Sequence, residues 1–119
     1  MITPLPELLD LETALSAMGD DREIYEEVLE TYLQSTPLLI GDLEAAMRTH
    51  DRSAIKRCAH TIKSSSLTVG GMRLGAAAAA LERVAEEASA PEIERHAAGL
   101  RIRFAELTAA LVKEGFAAA

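Results

Sequence analysis

The chain has 119 residues, of which 49% are hydrophobic, so it is large enough for one domain with a single core and too apolar for a disordered segment. Its formal net charge of −7 argues against nucleic acid as a partner, because nucleic-acid binding requires a basic surface. No apolar run approaches the roughly 18 residues of a membrane span, and the start lacks the pattern of a secretory signal. Cys58 is the lone cysteine, which fits a reducing compartment. We therefore expect a cytoplasmic protein that does not engage a membrane.

The first predicted element is a short helix. Pro4 and Pro6 keep the preceding residues extended, and Asp10 is the expected N-cap of a helix that runs to Met18. Gly19 ends this helix, since glycine is favoured just beyond a helix C-terminus.

The next stretch, from Asp21 to about residue 48, predicts either one helix or two. Pro37 interrupts it, and Thr36 could cap a second helix with Pro37 in its first turn. A single helix kinked at Pro37 fits the sequence equally well. The apolar residues at helical spacing are Ile24, Val28, Leu29, Tyr32, Leu33, Leu39, Leu43, Ala46 and Met47.

Three further helices complete the pattern. Asp51 is the expected cap of a helix from Arg52 to about Thr68, and Gly70 and Gly71 form a tight turn after it. The stretch "MRLGAAAAALERVAEEA" predicts the following helix, whose alanines allow a neighbouring helix to approach closely. The last helix begins at Ser89 or Ala90, before Pro91, and its apolar stripe comprises Ile93, Ala97, Leu100, Phe104, Leu107 and Leu111.

These elements predict an all-α fold, an antiparallel four-helix bundle with a short additional N-terminal helix. We expect one domain over 1–119, with a core of about 10–114 and extended or frayed ends at 1–9 and 115–119. Because aromatic residues make up only 3% of the chain, we expect a core of Leu, Ile, Val, Met and Ala.

The predicted helix that begins at Arg52 has a histidine at the middle of its polar face. At about 100° per residue, the side chains within roughly 60° of His60 are Ser53, Lys56, Arg57, Lys63, Ser64 and Leu67. The opposite, core-facing side carries Ile55, Cys58, Ile62, Ser65 and Val69, with Ser66 towards the flank. The spacing therefore predicts an exposed His60.

Charge is unevenly distributed around this histidine. Residues 51–69 hold four basic residues and one acidic residue, whereas the rest of the chain holds eight basic and eighteen acidic residues. A small basic patch on an acidic protein suits a phosphoryl group or the acidic surface of a partner.

Other polar residues have simpler interpretations. His50 lies near a helix end and His96 in a charged surface run, so we interpret both as solvated. Cys58 is expected to be a small buried thiol. Ser65 and Ser66 are expected to hydrogen-bond to carbonyl groups one turn back.

The stretch "AHTIKSSSLTVGG" resembles the signature of histidine-containing phosphotransfer (HPt) domains. His60, Lys63, Ser65 and Gly70 match that signature, and the likeness, with the upstream "MGDDREIYEEVLETYLQSTP" and "DRSAIKRCAH", covers about residues 10–112. The chain departs from the pattern at Ser64, where the family usually has glycine, and at Gly71, where it often has a small or aliphatic residue.

The resemblance implies a phosphorelay intermediate that is a phosphocarrier and not a self-sufficient enzyme. His60 would accept a phosphoryl group from the aspartyl phosphate of one receiver domain and pass it to the aspartate of another. The implied partners are response-regulator receiver domains and a hybrid sensor histidine kinase, which would supply the acceptor aspartate and the Mg²⁺. The protein itself is then expected to hold no metal or cofactor and to act as a monomer.

The resemblance also implies roles for the neighbours of His60. Lys63 and Ser64 would stabilise the phosphoryl group, and Glu82 on the next helix would either orient the imidazole ring or face water. The implied docking residues are Ser53, Lys56, Arg57 and Leu67, and the implied structural turn is Gly70 and Gly71.

Three alternatives bear on this interpretation. A sensor-kinase dimerisation domain typically has an acidic residue directly after the histidine and a proline shortly after it. This chain has Thr61 directly after His60 and no proline between residues 38 and 90, so that interpretation fits poorly. The phosphoacceptor domain of a chemotaxis-type kinase differs mainly in receiving phosphate from an ATP-dependent domain, which would have to act in trans. A helical interaction module without phosphotransfer would leave the charge pattern around His60 to chance.

Overall fold

Four long helices and one short helix account for most of the chain. The structure is a computed structural model that describes residues 5–116, and this range contains no strand. The helices are α1 (Leu11–Ala17), α2 (Arg22–Arg48), α3 (Arg52–Thr68), α4 (Met72–Val84) and α5 (Ala90–Lys113). Each of α2 to α4 packs against the helix that follows it, and α5 packs back against α2, while α1 contacts α2. The predicted four-helix bundle with a short additional helix is confirmed.

Side-chain caps fix where four of the helices begin. The carboxylates of Asp10, Asp21 and Asp51 accept hydrogen bonds from the backbone N–H three residues later, at 3.0–3.2 Å. The hydroxyl of Ser89 does the same for α5, at 3.3 Å. Each cap satisfies one of the free N–H groups of a helix start and contributes about 1 kcal/mol to stability.

α2 is one helix that continues through Pro37, which decides between the two possibilities that its sequence leaves open. Proline costs a helix one backbone hydrogen bond. On the buried side of this turn, Thr36 donates a hydrogen bond from its hydroxyl to the carbonyl oxygen of Tyr32, at 2.7 Å. The buried apolar residues before and after Pro37 belong to the same core, so packing keeps the two halves of α2 together.

α4 ends at Val84, earlier than the sequence stretch predicts. Beyond it, the guanidinium of Arg52 donates hydrogen bonds to the carbonyl oxygens of Ala85 and Ala88, at 3.1 and 2.6 Å. The Arg52 side chain thus pairs two carbonyl groups that would have accepted backbone hydrogen bonds if α4 had continued.

The core also contains aromatic side chains from α2 and from the end of the described chain, whereas we expected a core of Leu, Ile, Val, Met and Ala only. Tyr25 meets Phe116 edge-on with ring centroids 5.2 Å apart, and Tyr32 lies 6.1 Å from Phe104. Phe116 is buried, so the packed part of the chain extends past residue 114, where we expected a frayed end. The expected ends at 1–4 and 117–119 lie outside the described residues.

Two buried tyrosine hydroxyls join α2 to the end of α3. Tyr25 donates a hydrogen bond to the carbonyl oxygen of Val69 at 2.7 Å, and Tyr32 shares one with the hydroxyl of Ser66, also at 2.7 Å. Burial raises the pKa of each tyrosine to about 12, so both stay neutral. Ser66 is fully buried and bonds across helices, so its expected position on the flank and its expected bond one turn back are both wrong.

We expect the Tyr32–Ser66 hydrogen bond to contribute measurably to stability. Tyr32→Phe and Ser66→Ala each leave a buried hydroxyl without this partner, which should lower the free energy of unfolding by about 1–3 kcal/mol. The double variant should lose less than the sum of the two, because both substitutions remove the same interaction. Urea unfolding of the four proteins measures this, and strictly additive losses would contradict a direct bond.

The turn between α3 and α4 requires glycine at residue 70. Gly70 has a φ of +88°, and a Cβ atom there would lie 2.5 Å from the carbonyl oxygen of Asp10. The carbonyl oxygen of Gly70 accepts a hydrogen bond from the N–H of Asp10 at 2.8 Å. This close contact fixes the start of α1 against the end of α3. Gly71 follows as the N-cap of α4, with the Leu107 side chain beside its Cα.

Candidate functional site

His60 stands on the outward face of α3, as the helical spacing predicts. Its side chain is 58% exposed, whereas its neighbours Ala59 and Ile62 are fully buried in the core. The imidazole is therefore held on a packed helix with one side open to solvent. A rigid base and an open side are what a transfer site needs for positioning.

Glu82 on α4 bridges His60 and Lys63. One carboxylate oxygen, Oε2, lies 2.7 Å from Nδ1 of His60, and the other, Oε1, lies 2.7 Å from Nζ of Lys63. The Glu82 side chain is only 19% exposed, so this carboxylate is the least hydrated part of the site. Glu82 therefore contacts the ring of His60.

The bridge determines which ring nitrogen of His60 is free. Hydrogen bonds from Lys63 and from His60 hold the pKa of Glu82 below its usual range, so the carboxylate is ionised at neutral pH. An ionised carboxylate can only accept hydrogen bonds, and Nδ1 must therefore carry the hydrogen that it donates to Oε2. In the neutral ring, the lone pair then lies on Nε2, the ring nitrogen that makes no contact with Glu82.

Two of the four basic residues predicted around His60 are paired with glutamates, one on α4 and one in the turn after it. Lys63 pairs with Glu82, and Lys56 pairs with Glu86 at 2.9 Å. Counting charges along α3 alone missed these two glutamates, because the sequence does not show which residues of α4 and of the turn after it meet α3. The expected basic patch is therefore corrected to a mixed surface, on which two lysines pair with glutamates and Arg57 bonds to the hydroxyl of Ser53.

The residues expected to dock a partner share the exposed face of α3. Ser53, Lys56 and Arg57 are exposed, and the Arg57 guanidinium donates a hydrogen bond to the hydroxyl of Ser53 at 3.0 Å. Leu67 is 43% exposed and lies two turns beyond His60 on the same helix. This face thus combines charged groups with one apolar side chain.

Gly75 on α4 sets the position of Leu67, a role that sequence reasoning missed. A Cβ atom at Gly75 would lie 2.5 Å from Cδ2 of Leu67, so Leu67 lies flat against the bare backbone of α4. The available signal was a single glycine directly before a run of five alanines inside a predicted helix.

The serines after His60 differ in their surroundings. Ser64 is exposed, and its hydroxyl forms no hydrogen bond with any residue from 5 to 116. Ser65 donates a hydrogen bond to the carbonyl oxygen of Thr61, one turn back, at 2.9 Å, as expected. Ser64 is thus the serine whose hydroxyl is available beside the imidazole.

The remaining candidate groups lie away from this site. His50 is exposed in the turn after α2 with a φ of +56°, and Cys58 is partly buried against the core. Within residues 5–116, no group of three or more His, Cys, Asp or Glu side chains could hold a metal ion. No helix in the described part of the chain is long and apolar enough to cross a membrane.

Two comparisons with known proteins point to the same family. The family model for the Hpt domain matches residues 27–113. Among solved structures, the crystal structure of histidine-containing phosphotransfer protein B (HptB) from Pseudomonas aeruginosa PAO1 is similar, with 28% sequence identity and a TM-score of 0.61 over 83% of this chain and 92% of that chain. No curated protein matches the chain. The range matched by the family model contains His60, Lys63 and Glu82.

Proposed function

Because the chain belongs to the Hpt domain family and so has a histidine phosphotransfer role in phosphorelays, we propose that His60 is the residue that carries the phosphoryl group. The observation that supports this choice is the bridge from Glu82, which commits Nδ1 as a donor and leaves Nε2 as a nucleophile on the open side of the ring. His50 and His96 form no side-chain hydrogen bond with any residue from 5 to 116.

The transfer step needs no proton movement at His60. The lone pair on Nε2 attacks phosphorus of an aspartyl phosphate, the P–O bond to the aspartate breaks, and its electrons return to that carboxylate. Nδ1 keeps its hydrogen, so the phosphorylated ring is cationic and lies 2.7 Å from the Glu82 carboxylate. When the aspartate of a second receiver attacks, the N–P bond breaks and its electrons return to Nε2.

Lys63 and Ser64 are the groups placed to meet the phosphoryl oxygens. Lys63 is one turn from His60 on α3, its side chain is 28% exposed, and its ammonium rests on Glu82 in the free protein. Reaching a phosphoryl oxygen would require it to share or leave that partner. The hydroxyl of Ser64, which stands where the family usually has glycine, can donate a hydrogen bond without such a change.

We expect Lys63→Ala to slow phosphoryl uptake about three- to tenfold while the fold stays intact, because one stabilising charge is lost at the transferring group. Single-turnover transfer from a phosphorylated receiver domain measures the rate. Lys113→Ala, which removes a lysine at the far end of α5, is the matched control. An unchanged rate in Lys63→Ala would make Lys63 part of the solvated surface only.

Receiver domains of response regulators and of a hybrid sensor histidine kinase would dock on the face formed by Ser53, Lys56, Arg57 and Leu67, and would bring the Mg²⁺ and the aspartate. On this account the protein is a monomeric, cytoplasmic phosphocarrier that depends on its partners for every step.

Incubation with phosphorylated receiver domains tests the proposed function. Label that is labile in acid and stable in base, and that appears only after mixing with a phosphorylated receiver, is the expected result. Label obtained from an ATP-dependent kinase domain but from no receiver would favour a phosphoacceptor domain that serves a kinase in trans. Stable association with a partner but no label from any donor would favour a helical interaction module.

A further inference from the structure

A groove of about 470 Å³ runs between α2 and α3 and contains none of the residues of the His60 site. The α3 residues that point towards α4 form the His60 site, whereas this groove lies on the α2 side of α3. Its lining residues are Glu27, Val28, Thr31, Tyr32, Ser35, Ser65, Thr68 and Val69.

The floor of the groove is apolar. Tyr32 and Val69 are buried core residues, and Val28 is partly buried against them. Ile24, one turn before Val28 on α2, is 46% exposed and extends the apolar surface beyond the groove. A ligand here would therefore meet an apolar strip on one side.

The hydroxyl groups on the α3 wall can only accept hydrogen bonds from a ligand. Ser65 donates its single hydroxyl hydrogen to the carbonyl oxygen of Thr61, and Thr68 donates its own to the carbonyl oxygen of Ser64, both at 2.9 Å. Each hydroxyl oxygen is left with lone pairs and no hydrogen to give. This wall therefore suits a group rich in N–H donors.

The groove also carries a negative charge. Glu27 lines it and forms no ion pair with any residue from 5 to 116. Residues 22–30 of α2 contain four glutamates and one arginine, and that Arg22 is already paired with Glu26 and stacked over the Phe116 ring. The α3 residues in the lining are uncharged, so nothing across the groove offsets Glu27.

We propose that this groove binds an arginine or lysine side chain of a partner protein, next to an apolar residue that packs on Ile24. The guanidinium and ammonium groups carry donors and no acceptors, and their carbon stems pack on apolar surface, which matches the floor, the hydroxyl wall and Glu27 together. The apolar strip at Ile24 and Val28 favours a peptide segment over a free small cation, because it offers a second contact beside the charged one. This proposal does not depend on phosphotransfer at His60.

Short peptides can test the proposal on the full chain. We would titrate ¹⁵N-labelled protein with acetyl-Leu-Arg-amide and with acetyl-Leu-citrulline-amide, which has nearly the same shape but no charge. The expected result is saturable shifts of the backbone amides of Val28, Thr31, Ser65 and Thr68 with the arginine peptide. Binding of the citrulline peptide should be about three- to tenfold weaker.

Three variants separate the possible outcomes. Glu27→Gln should weaken the arginine peptide to the level of the citrulline peptide, whereas Glu30→Gln, the same change on the same helix outside the groove, should leave it unchanged. Ile24→Ala should bind acetyl-Leu-Arg-amide only as tightly as the wild type binds acetyl-arginine-amide, which lacks the leucine.

Equal losses in the two glutamine variants would show general attraction to an acidic surface and overturn the site. Equal affinity for acetyl-Leu-Arg-amide and acetyl-Leu-citrulline-amide would also overturn the proposed site. So would the absence of chemical-shift changes at the backbone amides that line the groove. If acetyl-arginine-amide bound the wild-type protein as tightly as acetyl-Leu-Arg-amide, the groove would be a site for a small cation, and the proposed protein partner would be ruled out. Phosphoryl uptake at His60 should be the same in all three variants, so this test and that of the proposed function fail separately.

Discussion

His60→Gln is expected to abolish phosphoryl uptake from phosphorylated receiver domains, with a loss of at least about a thousandfold set by the detection limit of the assay. The glutamine amide nitrogen has no available lone pair, and in the neutral histidine ring only Nε2 combines a free lone pair with an open approach. The readout is acid-labile, base-stable label on the protein after mixing with a labelled receiver.

Two controls make this result specific to one imidazole. His50→Gln and His96→Gln remove the other two histidines of the chain and should leave uptake unchanged. The circular dichroism spectrum of His60→Gln should match that of the wild type, because His60 is exposed and its removal leaves the core intact. Label that persists in His60→Gln would move the transfer site to another residue.

Glu82→Ala is expected to slow phosphoryl uptake by about tenfold to a hundredfold, by analogy with the loss of groups that orient other functional imidazoles. Without the carboxylate, the ring can hold its hydrogen on either nitrogen and can rotate, and the cationic phosphorylated ring loses its counter-charge. Ring ¹⁵N chemical shifts report the tautomer directly, and they should move from the Nδ1–H form towards a mixture.

Glu82→Gln should fall between Glu82→Ala and the wild type. Its amide oxygen can still accept the hydrogen bond from Nδ1, whereas its amide group carries no charge to hold Lys63. Glu86→Ala breaks the neighbouring Lys56 pair and is the matched control, with uptake expected to change less than twofold. If Glu82→Ala transferred as fast as the wild type with an unchanged ring tautomer, the bridge would have no part in transfer.

The helices could be predicted from the sequence because their limits are local. Asp10, Asp21, Asp51 and Ser89 each sit immediately before a periodic apolar stripe and cap the helix that follows. Pro37 left α2 undecided, because the same residues suit a cap or a helix interior and only packing of the flanking turns into one core decides between them.

The face of α3 that carries His60 was also predictable, because every position on one helix is fixed relative to the others by the helical period. The side chains that α4 brings to the His60 site could not be predicted from the sequence. Its alanine-rich sequence looks similar on all sides, so its rotation about its own axis depends on contacts with other helices, such as Leu67 against Gly75. That rotation brings Glu82 to Lys63, and the turn after α4 brings Glu86 to Lys56, so two of the four basic residues of the patch are paired with glutamates.

Contacts between distant parts of the chain account for the other differences. Ser66 lies beside polar neighbours in the sequence, and its burial follows from the hydroxyl of Tyr32, thirty-four residues away. Phe116 follows a glycine near the end of the chain, and it is held by Tyr25 and by the Arg22 guanidinium over its ring. Ser66 follows Ile62 by four residues and precedes Val69 by three, so it fits the spacing of the buried α3 residues, but a serine adds no apolar signal there. Phe116 lies beyond α5 and belongs to no helical stripe.

The most direct test of the account is the chemical identity of the two ring nitrogens of His60. Long-range ¹H–¹⁵N spectra of protein with ¹⁵N-labelled histidine, recorded before and after phosphorylation by a receiver domain, assign the hydrogen and the phosphorus separately. We predict hydrogen on Nδ1 in both states and phosphorus bonded to Nε2 of His60. Phosphorus on Nδ1, or on any residue other than His60, would contradict the account.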